Sequence, residues 1–202
     1  MEKQGRKAQE LWLACQTLQN VVDKGQDGAT WEQQLKPLNP EISAIREACI
    51  SNPMIVTILE AIPDAAICRG VWTETALAER FERVNKICRR VAMIDETGGS
   101  LFKFFISYVQ SFFVFRSSRV FSQLEEINPS DLSTFALLDN ARHSLEHNDL
   151  EQAVRYVNQL RGEPRRVAAD WLLEARLRLE TKQASEVLLA YASAVGLGSL
   201  FP

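Results

Sequence analysis

The sequence predicts an all-α fold, and three observations carry that prediction. Apolar residues recur in steps of three and four from Leu11 to Val195, the spacing of one helix face. No stretch shows the strict apolar–polar alternation of a strand. The 9 glycines and 7 prolines in 202 residues are too few for a turn-rich β protein of this length. With 46% apolar and 24% charged residues, the chain has the make-up of a folded globular protein rather than a disordered one. A formal net charge of −3 offers no global field for nucleic acid, so any basic function must be local.

The elements follow in order. Residues Ala8 to Asp23 read as a helix in which Leu11, Cys15, Leu18 and Val22 form a coiled-coil seam. The seam begins almost at the first residue, so residues 1–24 read as the end of a longer coiled coil, stopped by Gly25 and Gly28. Asn39-Pro40-Glu41 opens a second helix, with Asn39 as cap and Ile42, Ile45 and Cys49 as its buried stripe. Ser51-Asn52-Pro53 opens a short helix through Ala61, and Ile62-Pro63 stops it. Thr73 caps a longer helix to about Ile94, and Gly98-Gly99 breaks the chain before an aromatic helix, Leu101 to Phe115. Residues Arg116 to Asn128 read as a linker. From Pro129 the pattern becomes four short helices: Pro129 to about His147, a second capped by Asp149 and closed by Gly162, a third from Pro164 to about Glu180, and a fourth from Ser185 to Gly196. The expected organisation is 1–24, 25–128 and a small four-helix domain over 129–202.

Several function classes find no footing. Cys15, Cys49, Cys68 and Cys88 are scattered among apolar neighbours without a C-x-x-C pair, so buried thiols are expected rather than a zinc framework. His143 and His147 have a metal-compatible spacing, but the sequence places no further ligand beside them. No nucleophile elbow, Walker loop or H-E-x-x-H occurs, so no catalysis, cofactor or metal is expected. The amino-terminal residues lack the apolar core of a signal peptide, and the Leu101–Phe115 run is too short and too polar to span a bilayer.

The Thr73–Ile94 helix is the most informative element. Leu77, Phe81, Val84, Ile87, Cys88, Val91 and Ile94 fall on one face. Arg83, Lys86, Arg89 and Arg90 lie on or beside the opposite face, and Arg80 sits at the edge of the apolar stripe. Such a helix can lie in a bilayer surface, with its apolar face in the acyl boundary and its cations on anionic head groups. Periodicity alone favours an ordinary packed helix with a solvated charged face. Further on, Leu145 to Ala153 is similar to the turn of a tetratricopeptide repeat, which gives a second reading: a helical adaptor that binds a peptide segment of a partner.

Arg89-Arg90-Val91-Ala92-Met93-Ile94-Asp95-Glu96-Thr97, Val157-Asn158-Gln159-Leu160, Arg165-Arg166-Val167-Ala168, Leu179-Glu180-Thr181-Lys182-Gln183 and Ala190 to Gly196 together resemble runs of the mitofilin family. That family supplies the core subunit of the MICOS complex of mitochondrial cristae. The likeness runs from about Leu11 to the end, in the right order. It implies an inner-membrane protein facing the intermembrane space, which bends membrane at crista junctions and scaffolds other subunits. Residues 129–202 then match its mitofilin domain, which dimerises and binds a CHCH-domain MICOS subunit. Arg165, Arg166, Trp171 and Tyr191 are the residues expected to make those contacts. The amphipathic segment upstream matches its membrane-binding helix, which turns the reading of Arg80, Phe81, Arg83, Val84, Lys86, Ile87, Arg89, Arg90 and Val91 towards contact with an anionic phospholipid membrane. Family members carry a presequence, a transmembrane helix and a long coiled coil upstream. This sequence shows only the seam from Leu11, so it reads as a fragment or as a protein without its anchor.

Overall fold

A computed structural model of the chain describes residues 2–25, 35–49, 52–93 and 133–198. Among these residues are eight helices and no strand: α1 (Glu2–Lys24), α2 (Asn39–Ala48), α3 (Pro53–Glu60), α4 (Asp64–Arg69), α5 (Glu74–Ala92), α6 (Thr134–Glu146), α7 (Leu150–Asn158) and α8 (Gly162–Gly198). The fold class is the expected one. The Gly98-Gly99 break, the aromatic Leu101–Phe115 helix, the linker to Asn128 and the start at Pro129 lie outside the described residues.

Two compact units divide the chain, one of Met1–Ala76 with Arg176–Pro202 and one of Leu77–Ala175. In the first unit the seam of α1 is a core element. Leu11, Cys15, Leu18 and Val22 are buried with Leu38, Ile42, Ile45, Ile55, Leu59, Leu188 and Ala192, so the heptad spacing packs against helices of its own chain. Arg178 is buried in this unit. It donates to the Val22 carbonyl in the last turn of α1, and its Nη2 lies 3.0 Å from Asp23 Oδ1 and 3.7 Å from Glu74 Oε1. A cation among carboxylates and terminal carbonyls suits a helix C-terminus. Lys182 joins the cluster at 2.7 Å from Glu74.

Local chemistry sets the boundaries. Thr73 accepts from Ala76 N–H and Asp149 from Gln152 N–H, the caps expected at those starts, and Asn52 accepts from Met54 N–H at the start expected over Ser51-Asn52-Pro53. Asn39 does not cap. The chain turns helical one residue earlier, at Leu38 (φ −97°, ψ 0°), whose N–H is held by the Ile67 carbonyl, so Asn39 lies within α2. Pro63 was expected only to stop a helix. It also starts α4, where its carbonyl accepts from Ala66 and Ile67. Gly70 closes α4 at φ 90°, and a Cβ there would lie 2.2 Å from the Lys36 carbonyl oxygen, so the close approach requires glycine.

In the second unit α6 and α7 form the expected helical hairpin, turned by Asn148 at φ 59°. Ser133 caps α6, accepting from Ala136 N–H. The third and fourth expected short helices are one helix, α8. Thr181 and Ser185 are buried and bond back to the Leu177 and Lys182 carbonyls, so their hydroxyls serve the running helix instead of capping a new one.

Candidate membrane-contact surface on helix α5

From Leu77 onward α5 belongs to the second unit, and its side chains sort into three strips. The first is apolar and faces α8. Phe81 is 0% exposed, with its ring centroid 4.9 Å from that of Trp171, which is 1% exposed. The Trp171 indole N–H donates to the Leu77 carbonyl at 2.9 Å, and the Cys88 thiol donates to the Pro164 carbonyl at 3.3 Å. Burial raises the Cys88 pKa to about 11, so the thiol is protonated at neutral pH.

The second strip is polar and faces α6. Asn85 is buried and accepts from Arg89 Nε at 2.9 Å. Arg89 Nη2 donates to Asp139, and the guanidinium lies 5.9 Å from the Phe135 centroid. Glu82 pairs with Arg142 at 2.8 Å, and Arg142 also reaches Glu146 at 3.1 Å. Helix α5 thus packs on both α6 and α8, the two helices that a tetratricopeptide-like hairpin and its successor would offer to a peptide.

The third strip is open. Ile87 is 47% exposed, with Val84 and Val91 half-buried at steps of three and four. Arg83, Lys86 and Arg90 are exposed beside it, and Arg80 is half-buried. An apolar strip flanked by cations can meet a low-dielectric surface that carries anions.

The structure therefore separates the residues expected to meet a membrane. Arg83, Val84, Lys86, Ile87, Arg90 and Val91 share the open strip, with Arg80 at its margin. Phe81 is a core residue, because the helix turns it onto Trp171. Arg89 is bound to Asp139. Sequence reasoning missed Asn85 and Asp139; the only trace of them was a polar residue inside an apolar helix face.

The residues expected to contact partners are placed as follows. Arg165 and Arg166 are exposed in the first turns of α8, donating respectively to the Asn158 carbonyl at 3.1 Å and to Glu163 at 2.6 Å. Trp171 is core. Tyr191 belongs to the first unit, where its hydroxyl meets the Asn52 amide. The His143 and His147 rings lie 4.2 Å apart, but His147 Nδ1 is engaged by the His143 carbonyl at 2.8 Å. Among the described residues no group of three or more His, Cys, Asp or Glu could hold a metal ion, and no helix is long and apolar enough to cross a membrane.

The profile of a family described as Mitofilin, mitochondrial inner membrane protein, matches residues 1–193. The chain is 40% identical over 200 residues to "MICOS complex subunit Mic60" of Drosophila melanogaster, covering 97% of this chain and 27% of that protein. It is 30% identical over 205 residues to "MICOS complex subunit MIC60-2" of Caenorhabditis elegans, covering 100% of this chain and 31% of that protein. It is 29% identical over 182 residues to "MICOS complex subunit mic60" of Talaromyces marneffei, covering 90% of this chain and 26% of that protein. The chain thus spans less than a third of the length of these relatives. No solved structure matches it.

Proposed function

The chain belongs to the mitofilin family, whose members are mitochondrial inner membrane proteins, and from that premise we propose that it is a non-catalytic scaffold of crista junctions that meets inner-membrane lipid through α5. One observation carries the lipid part: Val84, Ile87 and Val91 line an outward strip flanked by Arg83, Lys86 and Arg90. Each cation held near an anionic surface contributes up to about 1 kcal/mol, falling off within a Debye length. Moving the exposed half of Ile87 out of water adds about 1 kcal/mol. The sum suits reversible, peripheral contact. In this reading residues 25–128 carry the membrane segment, and 129–202 carry dimerisation and recruitment of a CHCH-domain MICOS subunit. Arg165 and Arg166 are accessible for that recruitment, whereas Trp171 supports it from the core.

Sedimentation with vesicles of phosphatidylcholine and phosphatidylserine tests the lipid reading. The chain should pellet with these and not with phosphatidylcholine alone. Lys86→Glu and Ile87→Asp should each weaken pelleting, while Arg155→Asp on α7 should not. Equal pelleting of Lys86→Glu and the parent chain would remove the claim. The adaptor reading is the weaker of the two, because α5 already lies against the helices a peptide would use.

A further inference from the structure

Arg89 is one of five cations on α5, yet it is turned away from the open strip. Its Nε donates to Asn85 at 2.9 Å, its Nη2 donates to Asp139, and its plane lies over Phe135. Asp139 keeps only 10% of its side-chain exposure and Arg89 22%. Releasing Arg89 towards a lipid phosphate would leave Asp139 largely desolvated without its counter-charge, a heavier loss than one more surface cation returns. The aromatic anchor of α5 sits earlier, at Phe81 on Trp171, and beyond Asn85 the helix is held by the Cys88 thiol on the Pro164 carbonyl and by Arg89 on Asp139. Successive helix residues are turned about 100° from each other. A rotation of the half beyond Asn85 towards α8 therefore turns Val91, and then Ile87, inward and leaves only the charged side of the helix at the surface.

We propose that Asp139, acting through Arg89, is a positioning residue for the membrane contact: it fixes the rotation of α5 so that Lys86, Ile87 and Val91 face outward together. This rests on the lipid reading above, and it gives Arg89 a different task from Arg83, Lys86 and Arg90. The ligand that benefits is an anionic phospholipid surface, but Arg89 does not bind it.

The sign of one substitution tests this. Asp139→Asn removes a negative charge, so simple attraction to an anionic vesicle predicts tighter binding. Positioning predicts weaker binding, by about three- to tenfold, with phosphatidylcholine–phosphatidylserine vesicles and the full chain. Arg89→Lys keeps the charge but loses the forked donor geometry, and should also weaken binding. The exchanged pair, Arg89→Asp with Asp139→Arg, should recover most of what Arg89→Asp alone loses, although the α5 cation is then absent. Thermal melts of each variant show which are folded, and Arg89→Lys decides the matter if Asp139→Asn is not. Binding by Asp139→Asn that equals or exceeds the parent, or by Arg89→Lys that equals it, overturns the proposal. If the parent pellets and Lys86→Glu does not, that failure is confined to positioning. If the parent chain does not pellet, the lipid reading has failed and this proposal falls with it.

Discussion

Phe81 and Ile87 sit six residues apart on one helix, and the fold gives them opposite surroundings. Phe81 is enclosed against Trp171 while Ile87 is 47% exposed. Helical spacing places both on one broad apolar face, and nothing in the spacing says which edge of that face a neighbour will cover. The rotation is set by partners far along the chain, Trp171 and Asp139, which no local pattern links to α5. Phe81→Ala should accordingly cost about 3–5 kcal/mol of folding stability in urea titration, whereas Ile87→Ala should cost under about 1 kcal/mol. A reversed order would place the wrong residue inside. The thiols offer a second check at this scale. Burial raises Cys88 and Cys15 from 9.0 to about 11, Cys15 being raised further by its neighbour Cys49. An acid whose folded pKa is raised favours the fold in its neutral form, so its stabilisation is complete below about pH 9 and is lost as pH rises through about 11. The fall in urea stability over that window should be steeper in the parent chain than in Cys15→Ala/Cys88→Ala. Equal slopes would mean the thiols are not desolvated.

Elements with strong local punctuation were legible and those decided by packing were not. The starts at Asn52, Thr73 and Asp149 are legible because the capping side-chain oxygen and the backbone N–H that donates to it lie within three residues of each other. Helix α4 has six residues, too few for a period to register. Heptad spacing on α1 predicts a coiled-coil seam, and Leu11, Cys15, Leu18 and Val22 are buried, but the spacing does not specify whether the partner helix is a second chain or, as in the first unit, the same one. The break expected near Ser185 failed because serine suits both a cap and an interior helix site where it can bond back to a carbonyl. Proline separates these cases. Were Ser185 a cap, Glu186→Pro would sit at the first helical position and be tolerated. Within α8 it removes a helix hydrogen bond and clashes with the preceding turn, so it should cost about 3 kcal/mol or more. Chemical denaturation of the folded chain measures the difference, and a neutral Glu186→Pro would restore the four-helix description.

At the scale of the whole molecule, the sign of the net charge and the sign of the proposed contact disagree. The chain carries −3 overall, while the open strip of α5 carries Arg83, Lys86 and Arg90. An anionic vesicle therefore repels the protein as a body and attracts one strip of it. The two forces differ in reach. At about 0.1 M salt the Debye length is about 10 Å, so once α5 is at the surface its cations act at full strength while distant carboxylates are screened. Added salt then mainly erodes the attraction, and binding of the parent chain should fall as ionic strength rises from about 0.05 to about 0.5 M. In Arg83→Glu/Lys86→Glu the strip no longer offsets the body, and salt screens mainly repulsion. Its residual binding, carried by Ile87 and its valine neighbours, should stay level or rise over the same range. Pelleting assays across that series read the slope directly. A parent slope of zero would mean that apolar insertion dominates. A double variant with the parent's falling slope would mean that cations elsewhere on the molecule make the contact, and α5 would lose its assigned role.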